Sequence, residues 1–560
     1  MKAFRLMGLS PILLLFATGN SPSPAVVMAD CRSLQSHISS ASPHAALVIK
    51  LKQGSTCHIE TLEILRRKNV TLDGGHSTLI VSGDKTAIHI GESSNNITIY
   101  NISIDYDPLP FTQGIIDDIS DGYLTFSIMD HYPPVRKNNN RILLYDGCTQ
   151  GLKVNESTLY FRNFEIDRDG RRGKIPVPAH YSASLRRGDL IAFRPRGNPA
   201  IRLDGLSSNI RLKNVSILSS PGMGIMARYL EGDNHVDVRI VPGPPPMGSK
   251  EDRLLSVNAD GVNFAYTRKG PAIENSYISR QGDDGINLHG LVLGMHAATG
   301  PTSAIVLRPF GNDRSVERIL RPGDHIRFLA KDDFRVLGSG RIRELGKIDT
   351  RPLHQPREIA PLFPRAALDG AKSATFYGIS FLEDIPAGTA YLDAVSAASE
   401  GFVIRNNTLS QNRGHGIVIG ASQGQIVGNT IAGTTHNAII VGPNFDPWRE
   451  GSWPGDVSIT GNTIIDPCTD GLSDKKLRER SSIFIGSDQA MGTHDVAIYG
   501  NRIEACHGQW IKAVKVNRIS ISDNIFVTGS ANTPGFCDRI SKMAVAASQD
   551  YTLHDNQCEQ

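Results

Sequence analysis

The sequence predicts an all-β chain: a right-handed parallel β-helix carrying two inserted small β-barrel subdomains. Three observations predict it. Glycine is abundant, at 54 of 560 residues, and aromatic residues make up only 6%, the composition of a chain of short β-branched runs and many turns. Segments of one type recur, among them "NVTLDGG" from residue 69, "NITIYNISID" from 96, "NIRLKNVSIL" from 209, "FVIRNNTLSQN" from 402, "GQIVGNTIAG" from 424, "VSITGNTIID" from 457 and "VAIYGNRIEA" from 496. Each has alternating aliphatics, a turn-forming asparagine, then another aliphatic pair. Finally, two long segments interrupt this series and close on related nonapeptides.

The repeat length fixes the architecture. Asn407 to Asn429 is 22 residues and Asn501 to Asn524 is 23, the length of one solenoid coil with two or three short strands. Inward aliphatics should stack in ladders, and the turn asparagines should bond amide to amide from rung to rung. A leucine-rich repeat would instead show leucines at fixed offsets and helical segments, and neither is present.

Along the chain, residues 1–29 read as an export signal: Lys2 and Arg5, a short apolar stretch, and a small-residue exit at Ala29. Leu9 to Ala17 is far short of the roughly 20 residues that span a bilayer, so no membrane span is expected. Residues 30–560 form the β-helix, and localisation is secreted or periplasmic. The first insert covers 112–200 and the second 291–398. Their nonapeptides, "LRRGDLIAF" (185–193) and "LRPGDHIRF" (320–328), agree at six of nine positions, so one device occurs twice, each copy read as hairpins around a small barrel. "PGPPPMGSK" (242–250) is a proline loop between coils.

The net charge of +3 and the lack of a basic stripe exclude a nucleic-acid-binding class. All seven cysteines lie beyond the signal. Cys31 with Cys57, and Cys537 with Cys558, are placed to staple the two ends in an oxidising compartment. No pair has the CxxC spacing of a zinc site, so neither metal nor cofactor is expected. The sequons at Asn69, Asn96, Asn101, Asn155, Asn214 and Asn406 fall largely within coils and read as structural asparagines.

The chemistry concentrates in "VNADGVNF" (257–264), "GDDGINLHG" (282–290) and "NRGHGIVIG" (412–420). Aligned on their Gly-aliphatic starts, Asp260 and Asp284 are 24 residues apart, one coil, and should stack at about the 4.8 Å inter-strand spacing. Asp283 stands beside Asp284, and His415 comes next in the column, either a ladder histidine or a member of the site. Three carboxylates in register raise at least one pKa, and a protonated acid beside ionised ones is what glycoside hydrolysis requires. Asp260, Asp283 and Asp284 are therefore the candidate catalytic residues. Asn263, Asn287 and His289 share the outward strand face and, with His415, are candidates to hold sugar hydroxyls. Lys269, Arg280, Arg413 and Arg228 read as surface charges. The second insert is expected to wall a pocket over this column.

The order "NADG", "GDD", "GHG" resembles the polygalacturonase group of inverting β-helix glycosidases, although the Arg-x-Lys pair that reads a uronate is missing after His415. With both inserts, and with "NISIDYDPLPFTQGIIDDI" (101–119) and "SPGMGIMAR" (220–228), the chain from about 60 to 530 resembles glycoside hydrolase family 110. That resemblance implies a β-helix with two barrel insertions. It also implies exo-acting, inverting cleavage of terminal α-1,3-linked galactose from an oligosaccharide or polysaccharide, with the acidic site at Asp260, Asp283 and Asp284. The polygalacturonase arrangement makes Asp283 the general acid, with Asp260 and Asp284 holding the water. One-rung stacking alone leaves stereochemistry open; the resemblance implies inversion. Two other readings stay open: a calcium-dependent polysaccharide lyase with Arg280 or Arg413 as base, and a carbohydrate-binding β-helix without catalysis. Oligomeric state is not legible.

Overall fold

The computed structural model describes residues 24–559, apart from 137–138, 155, 183, 310–314, 353–358, 360, 365–367, 369–370, 447, 470–479, 507–508, 529–543 and 547. The export segment up to residue 23, Asn155 and Cys537 thus lie outside the described residues. The chain is the expected right-handed parallel β-helix. A 21-stranded parallel sheet and an 11-stranded parallel sheet face each other across an aliphatic core. A typical coil gives two short strands to the larger sheet, such as Val403–Arg405 and Thr408–Ser410, and one to the smaller, such as Ile417–Gly420.

Period-two alternation drives this. In the larger sheet Ile273, Ile404, Ile426, Ile459, Ile498 and Ile521 pair in register and are fully buried. Each such side chain contributes about 1.5–3 kcal/mol of apolar burial. At the corner between the two strands, Asn407, Asn429, Asn462, Asn501, Asn524 and Asn556 form a continuous ladder. Each Nδ2 donates to the next Oδ1 at 2.9 Å. The sequon asparagines Asn69, Asn96, Asn101, Asn214 and Asn406 take left-handed backbone conformations, and Asn96 and Asn214 bond to the asparagine one rung away.

Residues Ala25–Ala29, within the segment read as an export signal, form the first strand of the stack, paired with Leu47–Leu51. Cys31 bonds Cys57 as expected. Cys558 is disulfide-bonded as well, its expected partner Cys537 lying outside the described residues. Cys468–Cys506 is a third bridge that spacing did not suggest; the two cysteines follow the paired strands Thr463–Ile465 and Arg502–Glu504, so the bridge ties one coil to the next. No described helix is long and apolar enough to cross a membrane.

The inserts share a turn and differ in closure. In each nonapeptide the Asp Oδ2 accepts the N–H of the arginine three residues earlier, Asp189 from Arg186 at 2.6 Å and Asp324 from Arg321 at 2.7 Å. The intervening Gly188 and Gly323 sit at φ +90° and +89°, where a side chain is strained. The second insert is a closed six-stranded barrel. The first is an antiparallel sheet of seven strands with its own core. Its end strands, Thr158–Tyr160 and Glu165–Ile166, are consecutive in the chain, so the sheet curls back on itself while its ladder stops there.

Candidate active site

The smaller sheet builds the site floor. Strands Ile225–Arg228, Val262–Ala265, Ile286–His289, Ile417–Gly420 and Ile439–Val441 are successive neighbours. Their outward row reads Met226, Asn263, Asn287, Val418 and Ile440. Just before the strands the ladder continues through the acids: Gly261 N–H donates to Asp284 O at 2.9 Å, and Gly285 N–H to His415 O at 2.9 Å. Asp260, Asp284 and His415 therefore occupy equivalent places on consecutive rungs. All three, with Asp283, line one cavity of about 680 Å³, within the usual size of a small-ligand site.

The three aspartates have different surroundings. Asp283 is ion-paired with Arg196 and, at 2.6 Å, with Arg413. Burial alone would push its carboxyl up, but Arg413, Arg196 and the Arg194 behind them outweigh it and hold the pKa down at about 2. Asp260 is pushed well above the usual carboxylate range by burial and by the charges of Asp283 and Asp284. Asp284 is fixed by His415, whose backbone N–H donates to Oδ1 at 2.8 Å and whose Nδ1 lies 2.9 Å from the same oxygen. Between them Gly414 turns at φ +104°, where a Cβ would come within 2.7 Å of Asp284 Oδ1. Only glycine lets the backbone pass that close to the carboxylate.

Asn263 and Asn287 occupy matching positions and differ in use. Arg228 Nη1 donates to Asn263 Oδ1 at 2.8 Å. Because a guanidinium only donates, the amide orientation is fixed, and Nδ2 must be the atom that donates to Asp260 Oδ2 at 2.7 Å. Asn263 thus positions Asp260. Asn287 keeps a buried Oδ1 without a partner and gives only a long 3.4 Å contact to Asp284, so it retains capacity for a ligand. His289 is buried and does not line the cavity. It packs edge-on against Tyr266, and burial and Arg228 lower its pKa well below the histidine range.

Several expectations need correcting. Arg413 and Arg228 are not surface charges: both line the cavity, and Arg413 also donates to Tyr160 Oη at 3.0 Å. Lys269 stays exposed and Arg280 half-buried, with Asp233 and Gln411 as partners, and neither lines the cavity. None of the described residues of 291–398 lines the cavity. The near wall comes from the first insert and its exit, through Arg141, Tyr160 and Arg196. The far wall comes from Gly442, Pro443, Asn444, Trp448 and Glu450. Sequence reasoning missed Arg194 and Arg196, which gave no repeat signal, and it missed Trp448 and Glu450. For these last two a signal existed: "PNFDPWREGSWPG" (443–455) crowds two of the chain's three tryptophans into one loop between coils.

No protein-family model matches the chain. α-1,3-Galactosidase B of Bacteroides thetaiotaomicron is 24% identical over 426 residues, 72% of this chain and 64% of that protein. α-1,3-Galactosidase A of Shewanella woodyi is 24% identical over 432 residues, with the same shares. The chain thus spans less than two thirds of the length of these relatives. Among solved structures, a family 28 exopolygalacturonase of Yersinia enterocolitica aligns with TM-score 0.40 at 10% identity, over 95% of this chain and 79% of that one. The catalytic domain of a family 87 α-1,3-glucanase aligns at 0.38 and 12%, over 97% and 69%. The resemblance to the α-1,3-galactosidases of glycoside hydrolase family 110 therefore holds over 72% of the chain.

Proposed function

We propose that the protein is an exported glycoside hydrolase that releases terminal α-linked galactose, of the α-1,3 type, from glycans with inversion. The observation that carries this reading is the convergence of Asp260, Asp283 and Asp284, from consecutive rungs, on one cavity in which burial and like charge push Asp260 up while arginines hold Asp283 down. The names of the relatives supply the sugar and the linkage. The disulfides support an oxidising compartment.

Asp260 carries the proton. Since Asn263 donates to its Oδ2, the proton sits on Oδ1 and passes to the glycosidic oxygen as the C1–O bond breaks. Water adds to C1 and loses its proton to Asp284, which His415 holds in place. Asp283, kept ionised by Arg196 and Arg413, fixes those two guanidinium groups in the cavity wall and neither gives nor takes the proton. The polygalacturonase arrangement would give the acid's part to Asp283; a carboxyl beside three guanidinium groups does not hold a proton at neutral pH, which favours Asp260. The same pairing disfavours a calcium-dependent lyase, because the charge a cation would need is already neutralised.

A panel of nitrophenyl glycosides and galacto-oligosaccharides, with proton NMR of the first-formed anomer, tests substrate and stereochemistry. Galactose should first appear as the β-anomer, and no turnover of any α-galactoside would refute the reading. Leaving-group dependence tests the roles. Asp260→Asn should keep most of its rate on a dinitrophenyl α-galactoside, whose leaving group needs no proton, and lose about 10²–10⁴-fold on an unactivated disaccharide. Asp284→Asn should lose both. If Asp283→Asn shows the split instead, Asp283 is the acid.

A further inference from the structure

We infer that the arm formed by the described residues of 442–454 is the sugar-reading wall of the cavity: the Trp448 indole takes the apolar face of a galactopyranose ring, and Glu450 and Asn444 take its hydroxyls. This rests on the galactoside reading for the identity of the sugar, and on the arm itself for the rest.

The arm's position follows from strand direction. The acids precede the strands of the smaller sheet, and the arm leaves the end of Ile439–Val441. From Asp284 to Leu288 the floor runs four residues, on the order of 13 Å at ~3.3 Å per residue, room for one pyranose between acids and arm. Asn444 and Glu450 bond backbone to backbone in both directions, at 3.0 and 3.1 Å, pinching the arm into a hairpin with Trp448 near its tip.

Tryptophan use is selective. Trp453 and Trp510 are buried, at 0% and 3% exposure, whereas Trp448 is 43% exposed and lines the cavity. A large aromatic surface left open beside carboxylates costs solvation unless a ligand covers it. Galactose suits it, because its axial O4 lies on one face and leaves the C–H groups of C3, C4 and C5 together on the other. Glu450 supplies the polar complement. Its Oε2 accepts from Asn444 Nδ2 at 3.1 Å, while Oε1 stands 3.7 Å from His289 Nε2, beyond hydrogen-bond reach. Burial, with the charge of Asp284, raises the Glu450 carboxyl to about 7, so near neutrality it both donates to and accepts from hydroxyls. Neutral His289 beneath leaves that capacity intact.

The test uses the full chain carrying Asp260→Asn, with free monosaccharides as ligands so that no bond is cleaved. Its tryptophan fluorescence is titrated with galactose, glucose, mannose and galacturonate, and affinity is measured by calorimetry. Galactose should change the emission saturably, Trp448→Phe should abolish that change, and Trp448→Ala should weaken binding at least ~10-fold with an unaltered melting temperature. Glu450→Leu should weaken it comparably, while Glu450→Gln, which still donates and accepts, should stay within ~3-fold of the parent. Persistence of the emission change in Trp448→Phe, or undiminished affinity in Trp448→Ala, overturns the inference. If another sugar gives the Trp448-dependent response and galactose does not, the galactoside reading falls and the arm's role stands. If galactosides are cleaved by the wild type yet no sugar moves the emission, the arm's role falls alone.

Discussion

Asp260 and Asp283 are the same side chain on consecutive rungs, and their neighbours push their carboxyl pKa values in opposite directions. That difference reaches stability with opposite sign. Asp260 has its folded pKa raised by burial and by Asp283 and Asp284. The folded state holds that proton more tightly than the unfolded one, so stability falls as pH rises through the raised value. Asp283 is held at about 2 by its arginines against burial. Its contribution is present above the unfolded value near 3.8 and lost as pH falls towards about 2, on the order of 2 kcal/mol. Asp260→Asn should therefore melt at or above the wild-type temperature at pH 7, with a margin that widens as pH rises. Asp283→Asn should melt several degrees lower at pH 7, since it strands Arg194, Arg196 and Arg413, and the deficit should close towards pH 3. Melting curves across pH 3–9 check both; equal shifts for the two variants would contradict the charge assignment. The sequence showed these aspartates because one coil separates Asp260 from Asp284. It did not show their protonation, which depends on Arg196 and Arg413, 87 and 130 residues away from Asp283.

Coils were legible as elements because alternation and the corner asparagine are local signals repeated with a fixed period. The asparagine ladder is also where the stack is most exposed to substitution. Asn462 illustrates this. Its Oδ1 accepts both the N–H and the Nδ2 of Asn429, at 2.9 Å each, and its Nδ2 donates to Ile426 O and Asn501 Oδ1, at 2.9 Å each. Asn462→Leu should leave buried polar atoms on both neighbouring rungs without partners, at about 1–3 kcal/mol each. Because each coil of a solenoid contacts only its neighbours, hydrogen exchange should rise at residues 424–432 and 496–504 first and leave the strands around Asp260 protected. A uniform loss of protection along the chain would show the stack to be one cooperative unit. The arm was illegible for the converse reason: it interrupts the repeat, and nothing periodic says which way "PNFDPWREGSWPG" folds back.

At the scale of the whole molecule the two inserts divide the work around the cavity, and among the described residues only the first touches it. The first contributes directly, through Tyr160 bonded to Arg413. The second acts from behind the arm. Phe334 stacks on Phe445 with ring centroids 4.9 Å apart, and its carbonyl accepts Trp453 Nε1 at 3.0 Å. Arg449 donates to Leu362 O at 2.8 Å and to Tyr391 Oη at 3.2 Å, and Arg327 donates to Trp453 O at 2.9 Å. Sequence placed this barrel beside the acids in the chain, and adjacency in sequence was mistaken for adjacency in the cavity wall: the barrel leaves after His289 at the far end of the strand, away from the aspartates. The division has a kinetic consequence. Phe334→Ala removes a buried ring from the barrel–arm junction, a local loss of about 3–5 kcal/mol, without touching any aspartate or the residues that hold them. The arm should lose its fixed pose while the acids keep theirs, so KM for an unactivated galactoside should rise about tenfold or more and kcat should change by less than about threefold. Leu382→Ala, on the exposed side of the same barrel, should alter neither. A fall in kcat with KM unchanged would mean that the barrel supports the acids rather than the arm.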